Sequence, residues 1–269
     1  MQNQLTIGAV SYLNTKPLVA GLEASCEDYD LIFDLPSRLA DRLQSGDLDV
    51  ALIPSIEAIT GNGYHVVSDA CIGCEGPVWS VKLLSRVELP QIRTVALDVG
   101  SRTSRALTKI LLSEQHHCQP RFVDLPMDQD WRDVDTDAVL IIGDRAMHAD
   151  NADFKHCVDL GEAWSQWTGL PFVFAMWVAR SDERLDFLSR LLSNARDNGT
   201  ARLDEFVDKH HADYGLTVEQ CADYLHHRLH YFLGEREKQA LERFYRHASQ
   251  LSLIPNTTEL NFHDCQTAR

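Results

Sequence analysis

The sequence predicts an α/β fold with a helical C-terminal part. Over the first two-thirds of the chain, short apolar runs alternate with amphipathic segments, and polar turn residues separate the two. Alternation of this kind is typical of a largely parallel sheet covered by helices on both faces. The last third shows helical patterns only.

The predicted strands are apolar runs that end at turn residues. They are Thr6–Val10, Val50–Ile53, Thr94–Asp98, Phe122–Leu125 and Ala138–Ile142. A short helix is predicted over Pro36–Gln44, and another is expected after Pro54-Ser55. The turn 100–103 precedes a third helix, in which Ala106, Leu107, Ile110 and Leu111 share one face.

The helical tail is predicted from its caps. We expect Ser181 to cap a helix that Asn198-Gly199 ends. Thr217 and Gln220 have the spacing of a capping box and open another helix. Gly234 precedes the last helix.

Composition and charge restrict the class of protein. The 269 residues are 44% apolar and carry a formal net charge of −15, which argues against nucleic acid and anionic membranes as partners. Seven scattered cysteines indicate free thiols rather than a disulfide framework. The N-terminal residues have no basic and apolar pattern of a secretion signal, so we expect a cytoplasmic protein.

Small polar residues follow the predicted strands where these end. In chain order they are Ser11, Asn14, Ser55, Ser101, Thr103, Ser104, Gly143 and Asp144. Ligands of open α/β sheets bind beyond the carboxyl ends of strands, and helix N-termini there favour anions. Each hydroxyl could also be an ordinary helix cap, and only their convergence on one edge favours a site.

This set has no His or Cys that could pair as nucleophile and base, and the sequence has no glycine-rich phosphate motif. We therefore expect a site in which neutral donors hold a small polyanion, with no metal and no organic cofactor.

Several blocks along the same segments resemble the chorismate dehydratases of the futalosine route to menaquinone. They are SYLNTKPL (11–18), ALIPSIE (51–57), GPVWSV (76–81), ALD with SRTS (96–98 and 101–104), IGD (142–144), DLG (159–161) and WSQWTGLPFVFA (164–175). These blocks occur in the same order as in the family, from about residue 6 to about residue 180. The tail after them resembles the family only in its helical character. Trp79 is a departure, because the family pattern has a small or basic residue there.

The resemblance implies a two-lobed type II periplasmic-binding-protein-like fold with a cleft between the lobes. It also implies loss of water from chorismate to give 3-[(1-carboxyvinyl)oxy]benzoate. We expect one lobe to comprise residues 1–85 and 178–269 and the other residues 86–177. The candidate crossings are Val78–Leu84 and Phe172–Ala179. The oligomeric state is left open.

On this reading Asn14 is the predicted catalytic residue, which orients the substrate and hydrogen-bonds its reacting region. The predicted substrate-binding residues are Ser11, Ser55, Ser80, Ser101, Arg102, Thr103, Ser104, Gly143 and Asp144. An amide cannot be a general base at neutral pH, so the base is either the substrate's own enolpyruvyl carboxylate or a protein carboxylate, Glu57 or Asp144. Arg102 either contacts substrate or braces the lobes.

Two other functions stay open. The 1,4-dihydroxy-6-naphthoate synthase of the same pathway shares the fold, but it is expected to begin with a Ser-Pro-Cys-Pro-Asn-Asp-type motif and to use a histidine. A non-catalytic solute-binding protein would need an export signal.

Three further patterns are interpreted as structural. The Cys71/Cys74 pair has no second pair to complete a zinc site, and His226 and His230 lack a matching carboxylate motif. We expect Trp164, Trp167, Phe172 and Phe174 to pack between the lobes.

Overall fold

The computed structural model describes residues 4–22, 25–61, 63–150, 152–255 and 260–263, which form two sheets flanked by helices. The strands are β1 Leu5–Val10, β2 Tyr29–Asp34, β3 Val50–Pro54, β4 His65–Cys74, β5 Val81–Ser85, β6 Thr94–Asp98, β7 Arg121–Leu125, β8 Ala138–Ile142, β9 His156–Asp159, β10 Phe172–Ala179, β11 His230–Phe232 and β12 Asn261–Phe262. The helices are α1 Pro36–Ser45, α2 Ser55–Ala58, α3 Arg102–Glu114, α4 Asp144–Met147, α5 Leu160–Thr168, α6 Leu185–Thr200, α7 Leu203–His210, α8 Val218–Asp223 and α9 Glu235–Gln250. A 3₁₀ segment covers Leu13–Val19, and a π-helical turn covers Tyr224–Arg228.

The first sheet has the strand order β11-β4-β10-β3-β1-β2, with β12 paired to β4. Strand β1 is parallel to β2 and β3, as the strand–helix alternation predicts. Strand β10 lies antiparallel to both β3 and β4. The prediction of a largely parallel sheet is therefore wrong for this half of the sheet, because the returning strand β10 enters it from the opposite direction.

The second sheet has the order β7-β6-β8-β5-β9. Strand β6 is parallel to β7 and β8, whereas β5 is antiparallel to β8 and β9. The chain enters this sheet between β4 and β5 and leaves it between α5 and β10. The predicted lobe boundaries at residues 85 and 177 remain a proposal, and this strand membership favours boundaries a few residues earlier.

All five predicted strands are present within one residue of their predicted ends. Strand β4 was missed because its sequence, HVVSDACIGC, places Ser68 and Asp69 in an apolar run. Both residues are buried, and α6 supplies their partners: Ser193 donates to the Asp69 carboxylate, and the Arg196 guanidinium lies 3.0 Å from it. Buried polar side chains within a strand are tolerated when a neighbouring element supplies such partners, although Asp69 Oδ2 has no hydrogen-bond partner among the described residues.

Two predicted ends of α6 are wrong. The helix begins at Leu185 and not at Ser181, and it follows Arg184 in a left-handed conformation. Gly199 lies inside the helix, which continues to Thr200. A Cβ atom at Gly199 would lie 1.9 Å from the Pro17 carbonyl oxygen, so this glycine permits close packing of α6 on the 3₁₀ segment.

The remaining predictions for the tail are confirmed. Thr217 accepts from the Gln220 N–H, the Gln220 side chain accepts from the Thr217 N–H, and the capping box opens α8. Gly234 precedes α9, where its N–H donates to Glu237. Helices α6 and α9 pack on β4 and β10, so this part of the chain covers the first sheet. Among the described residues, no helix combines the length and the apolar character needed to cross a membrane.

Candidate active site

A cavity lies where the two sheets meet, with an empty volume of about 480 Å³ that includes space open to solvent. The strands of the first sheet that reach the cavity do so with one of their ends, and they are β1, β3, β4 and β10. From the second sheet come the start of β5 and the end of β8, together with the start of α3. The lining residues are Val10, Tyr12, Asn14, Pro36, Pro54, Ile72, Val78, Ser80, Val81, Ser101, Ser104, Ile142, Gly143, Phe174 and Ala175.

None of the lining residues is charged. The polar side chains in this lining are those of Tyr12, Asn14, Ser80, Ser101 and Ser104. Neutral donors in a low-dielectric cavity interact strongly with an anion, and they avoid the desolvation cost of a buried ion pair. The arrangement matches the expected chemistry of the site.

One wall of the cavity is the N-terminus of α3. Ser101 is the N-cap: its hydroxyl accepts from the Ser104 N–H at 3.3 Å and lies 3.0 Å from the Ser104 hydroxyl. The N–H groups of Arg102 and Thr103 have no hydrogen-bond partner among the described residues, as is usual for a first helical turn. Together with the helix dipole they favour a negatively charged group.

A buried ion pair braces this wall from behind. Asp98 is fully buried at the end of β6, and its carboxylate accepts from the Gly100 N–H, the Ile142 N–H and the Arg145 guanidinium. Burial raises the pKa of Asp98, and the Arg145 charge opposes that rise. The pair fixes the turn that carries Ser101, and it holds Arg145 away from the cavity. Sequence reasoning missed this role, although an aspartate that directly precedes a glycine turn is a recognisable signal.

The opposite wall joins three distant segments of the chain. Asn14 lies in the 3₁₀ segment, where its side-chain oxygen accepts from the Thr15 hydroxyl at 3.3 Å. The Asn14 side chain also lies near the hydroxyl of Tyr224, the first residue of the π-helical turn. Tyr224 in turn donates to the Ser80 hydroxyl at 2.9 Å. Sequence reasoning named Asn14 and Ser80 but missed Tyr224, because no local pattern around it differs from that of an ordinary helix.

The segment that carries Ser80 has an unusual backbone. Trp79 has φ 67°, a left-handed conformation that a bulky residue adopts only when its surroundings impose it. Asp159 imposes it here, since its carboxylate accepts the N–H groups of Val78 and Trp79 at 3.0 and 2.5 Å. The Trp79 ring packs edge-on against Tyr224 at 5.8 Å between centroids. This tryptophan, a departure from the family pattern, therefore supports the wall from outside the cavity.

Tyr12 is another lining residue that the sequence did not single out for a role. Its ring lies against Gly143, where a Cβ atom would approach the ring to 2.8 Å. Its hydroxyl is buried and has no hydrogen-bond partner among the described residues. Burial and the carboxylates of Asp98 and Asp144 raise the pKa of Tyr12, so the hydroxyl stays protonated and can donate. A side chain at position 143 would collide with the Tyr12 ring, so this glycine, at φ 69°, leaves the space that the ring occupies.

The other predicted site residues do not line the cavity. Ser11 is exposed. Ser55 and Thr103 are buried against each other, with the Ser55 hydroxyl 2.7 Å from the Val173 carbonyl oxygen and the Thr103 hydroxyl accepting from the Ile56 N–H. Arg102 pairs with Asp41 and Glu57 on the outer face of α3. The predicted binding roles of these residues remain predictions.

Neither of the two candidate protein bases belongs to the lining of the cavity. Asp144 accepts the Leu13 N–H at 3.3 Å and so ties α4 to the 3₁₀ segment. Burial raises the pKa of Asp144 to about 6, against the hydrogen bond from Leu13. Burial also raises the pKa of Glu57, although the Arg102 charge lowers it.

The patterns interpreted as structural have ordinary surroundings. Cys71 and Cys74 are buried within β4. His226 pairs with Asp204 and His230 with Glu237, and the described residues contain no group of three or more side chains that could hold a metal ion. Trp164 is fully buried against Phe172 and Phe244 between α5, β10 and α9.

Solved structures define the class of protein. A structure from Archaeoglobus fulgidus superposes with a TM-score of 0.75 at 17% identity, covering 93% of this chain and 98% of that chain. The periplasmic aliphatic sulphonate binding protein of Escherichia coli superposes with a TM-score of 0.62 at 14% identity, covering 96% and 90%. A Candida albicans protein whose structure has the generic periplasmic binding protein fold gives a TM-score of 0.62 at 14% identity, covering 97% and 98%. The chain thus has a periplasmic-binding-protein-like fold with its cavity between two sheets, which confirms the fold that the resemblance implied.

Sequence comparisons give the family. A family model described as menaquinone biosynthesis matches residues 5–250. The chorismate dehydratase of Thermus thermophilus is 30% identical over 256 residues, covering 88% of this chain and 93% of that protein. The chorismate dehydratase of Campylobacter jejuni is 25% identical over 243 residues, covering 90% and 92%. The chain belongs to the menaquinone biosynthesis family.

Proposed function

We propose that this protein is a chorismate dehydratase, a carbon–oxygen lyase that removes water from chorismate and acts in the cytoplasm. The observation that carries the proposal is the convergence of five neutral polar side chains and one open helix N-terminus on an uncharged cavity. Two relatives that match this chain over most of its length are named for the same activity.

The cavity suits a cyclic dianion for electrostatic reasons. The protein as a whole is acidic, with a formal net charge of −15, so long-range attraction of an anion is weak. Inside the cavity no lining carboxylate repels the ligand, and Arg145 compensates the nearby Asp98. The α3 N-terminus offers the N–H groups of Arg102 and Thr103 to one carboxylate. Asn14 and Ser80 offer donors on the opposite wall.

The reaction requires removal of the hydrogen at the ether-bearing ring carbon and departure of the neighbouring hydroxyl. The electrons of the broken C–H bond form the new ring double bond as the C–O bond breaks, and the hydroxyl leaves with a proton as water. Charge develops toward the ring carboxylate, where fixed donors stabilise it. We assign this stabilisation to the α3 N-terminus with Ser101 and Ser104.

The base in this proposal is the substrate's enolpyruvyl carboxylate folded over the ring. Asn14 cannot accept the proton, because an amide is not basic at neutral pH. Asp144 and Glu57 do not line the cavity, which favours the substrate carboxylate over either of them. Asn14 and Ser80 then hold the reacting region and hydrogen-bond the departing hydroxyl, so that the protein contributes positioning and electrostatics.

The test is incubation of the purified protein with chorismate, with the product followed by mass spectrometry and by aromatic absorbance. We expect a product that has lost one water. Binding of chorismate without conversion would favour a solute-binding protein. Neither binding nor conversion would reject this substrate and leave the naphthoate synthase reading to be assayed.

A further inference from the structure

We infer that Tyr224 is a positioning residue, whose hydroxyl donates to Ser80 and so turns the Ser80 proton toward the ligand, a relay from Tyr224 through Ser80 to the ligand. This inference rests on the proposed function, because it assigns a role to the wall that would hold the reacting part of the substrate.

The hydrogen-bond inventory of the two side chains leads to this direction. A phenol has one proton, and Tyr224 gives it to the Ser80 oxygen at 2.9 Å. The Ser80 hydroxyl then keeps its own proton for another acceptor. The order of donation is therefore Tyr224 to Ser80 to ligand.

The Ser80 hydroxyl is the last protein donor in this series of hydrogen bonds. Its oxygen accepts from Tyr224, and no acceptor for its proton lies among the described residues. Its backbone is fixed on both sides, because its N–H donates to Val78 at 2.8 Å and its carbonyl accepts from Gly143 at 2.9 Å. Only the hydroxyl proton remains free to rotate. Since Tyr224 occupies one side of the oxygen and Ser80 lines the cavity, the proton is directed at the ligand.

Burial keeps the relay in its donating state. Tyr224 is fully buried, and burial raises the pKa of its hydroxyl far above neutrality, against its hydrogen bond to Ser80. The phenol therefore keeps its proton over the range in which the protein functions. Successive hydrogen bonds in a low-dielectric interior polarise one another, which strengthens the last donor of the chain.

The backbone around Tyr224 is consistent with a role beyond packing. Tyr224 begins the π-helical turn, and its carbonyl accepts the Leu229 N–H five residues along the chain at 3.2 Å. Such turns are rare and occur frequently at functional sites. Trp79 closes the outer side of the Tyr224 ring, and Arg228 and Lys82 lie 5.8 and 6.0 Å from the Trp79 ring.

A double-mutant cycle with chorismate as substrate tests the relay. Tyr224→Phe keeps the ring and removes the hydroxyl, and we expect kcat/KM to fall by about 10- to 100-fold, mostly in kcat. In a Ser80→Ala background, Tyr224→Phe should lower kcat/KM by less than about 3-fold, because the residue through which it acts is absent. Equal losses in both backgrounds, or no loss in either, would overturn the inference.

Tyr231→Phe is the matched control. Tyr231 is a buried tyrosine in β11, and its hydroxyl has no hydrogen-bond partner among the described residues. Its removal should change kcat/KM by no more than about 2-fold. A loss as large as that of Tyr224→Phe would mean that any phenylalanine in this region disturbs the cavity, which would reject a specific relay.

A measurement without ligand separates the relay from the proposed function. In ¹H spectra the hydroxyl proton of Tyr224, assigned with ring-labelled tyrosine, should be resolved in the wild-type protein and should shift in Ser80→Ala, because its acceptor is lost. An unchanged shift, or a proton that exchanges too fast to be seen, would overturn the relay even if Tyr224→Phe failed to fold. A shifted proton in a protein that does not convert chorismate would retain the relay and reject the substrate.

Discussion

The two walls of the cavity are built in different ways. The α3 wall comes from one continuous segment, in which Ser101 and Ser104 follow the strand β6 and cap the helix. The opposite wall brings together Asn14, Ser80 and Tyr224, which lie far apart in the sequence. A local wall tolerates the loss of one donor, since neighbouring N–H groups remain. A wall made of distant residues depends on each of its contacts.

Asn14→Ala gives the largest expected effect and tests the distant wall directly. We expect kcat to fall by about 100-fold or more, because the variant removes a cavity donor beside the Tyr224–Ser80 pair. The measurement is steady-state turnover of chorismate. Asn198→Ala, on the exposed face of α6, is the control and should behave as wild type. Wild-type turnover in Asn14→Ala would remove this residue from the mechanism.

Gly143→Ala tests the contact between the Tyr12 ring and the turn that follows β8 in the second sheet. The added Cβ atom would lie 2.8 Å from the Tyr12 ring at a backbone φ of 69°. We expect the free energy of unfolding to fall by about 3 kcal/mol from clash and left-handed strain together. The measurement is urea unfolding.

Gly169→Ala is the reference for positive φ alone, because Gly169 has φ 70° and ψ 11° and nothing within 4 Å of an added Cβ atom. It should lose about 1 kcal/mol from left-handed strain. Gly143, at φ 69° and ψ −156°, lies in a region that is essentially restricted to glycine, so its variant should lose more. If both variants lose the same amount, neither this backbone nor the Tyr12 contact adds to the cost.

Asp144→Asn tests the carboxyl that ties α4 to the segment of Asn14. The pKa of Asp144 is raised to about 6 in the folded protein, so the folded state binds the proton more tightly than the unfolded state. This group therefore makes no difference at low pH and destabilises the protein as the pH rises from about 4 to about 6.

We expect Asp144→Asn to be more stable than wild type by about 2 kcal/mol above pH 7 and equal to it near pH 3.5. Thermal unfolding across this range is the measurement. A stability difference that does not vary with pH would contradict the buried, proton-binding state of Asp144.

Ser101→Ala gives the smallest expected effect and tests the local wall. Loss of the N-cap should lower the free energy of unfolding by about 1 kcal/mol and raise KM for chorismate by about 3- to 10-fold, with kcat largely kept. Thr217→Ala removes the N-cap of α8 and is the matched control. It should show a similar loss of stability with an unchanged KM. A large fall in kcat for Ser101→Ala would mean that the α3 wall is as sensitive as the opposite one.

Much of the candidate site could be predicted from strand ends and the family resemblance. Five of the predicted residues, Asn14, Ser80, Ser101, Ser104 and Gly143, line the cavity. Ser55 and Thr103 have the same kind of position in the sequence, yet their hydroxyls face each other inside the protein. The end of a strand fixes the position of the backbone that carries a side chain. The packing of α2 on α3 decides the direction in which that side chain points.

By itself, the sequence determined the five predicted strands, the capping of α3 and α8 and the absence of charge among the strand-end donors other than Asp144. These features depend on residues within one or two turns of each other, so local periodicity and cap chemistry are sufficient. The tertiary structure alone decided the antiparallel entry of β10, the interior glycine of α6 and the meeting of Tyr224 with Asn14 and Ser80. These features depend on side chains and backbone atoms far apart in the chain, whose approach is set only when the two sheets and the helical tail pack together.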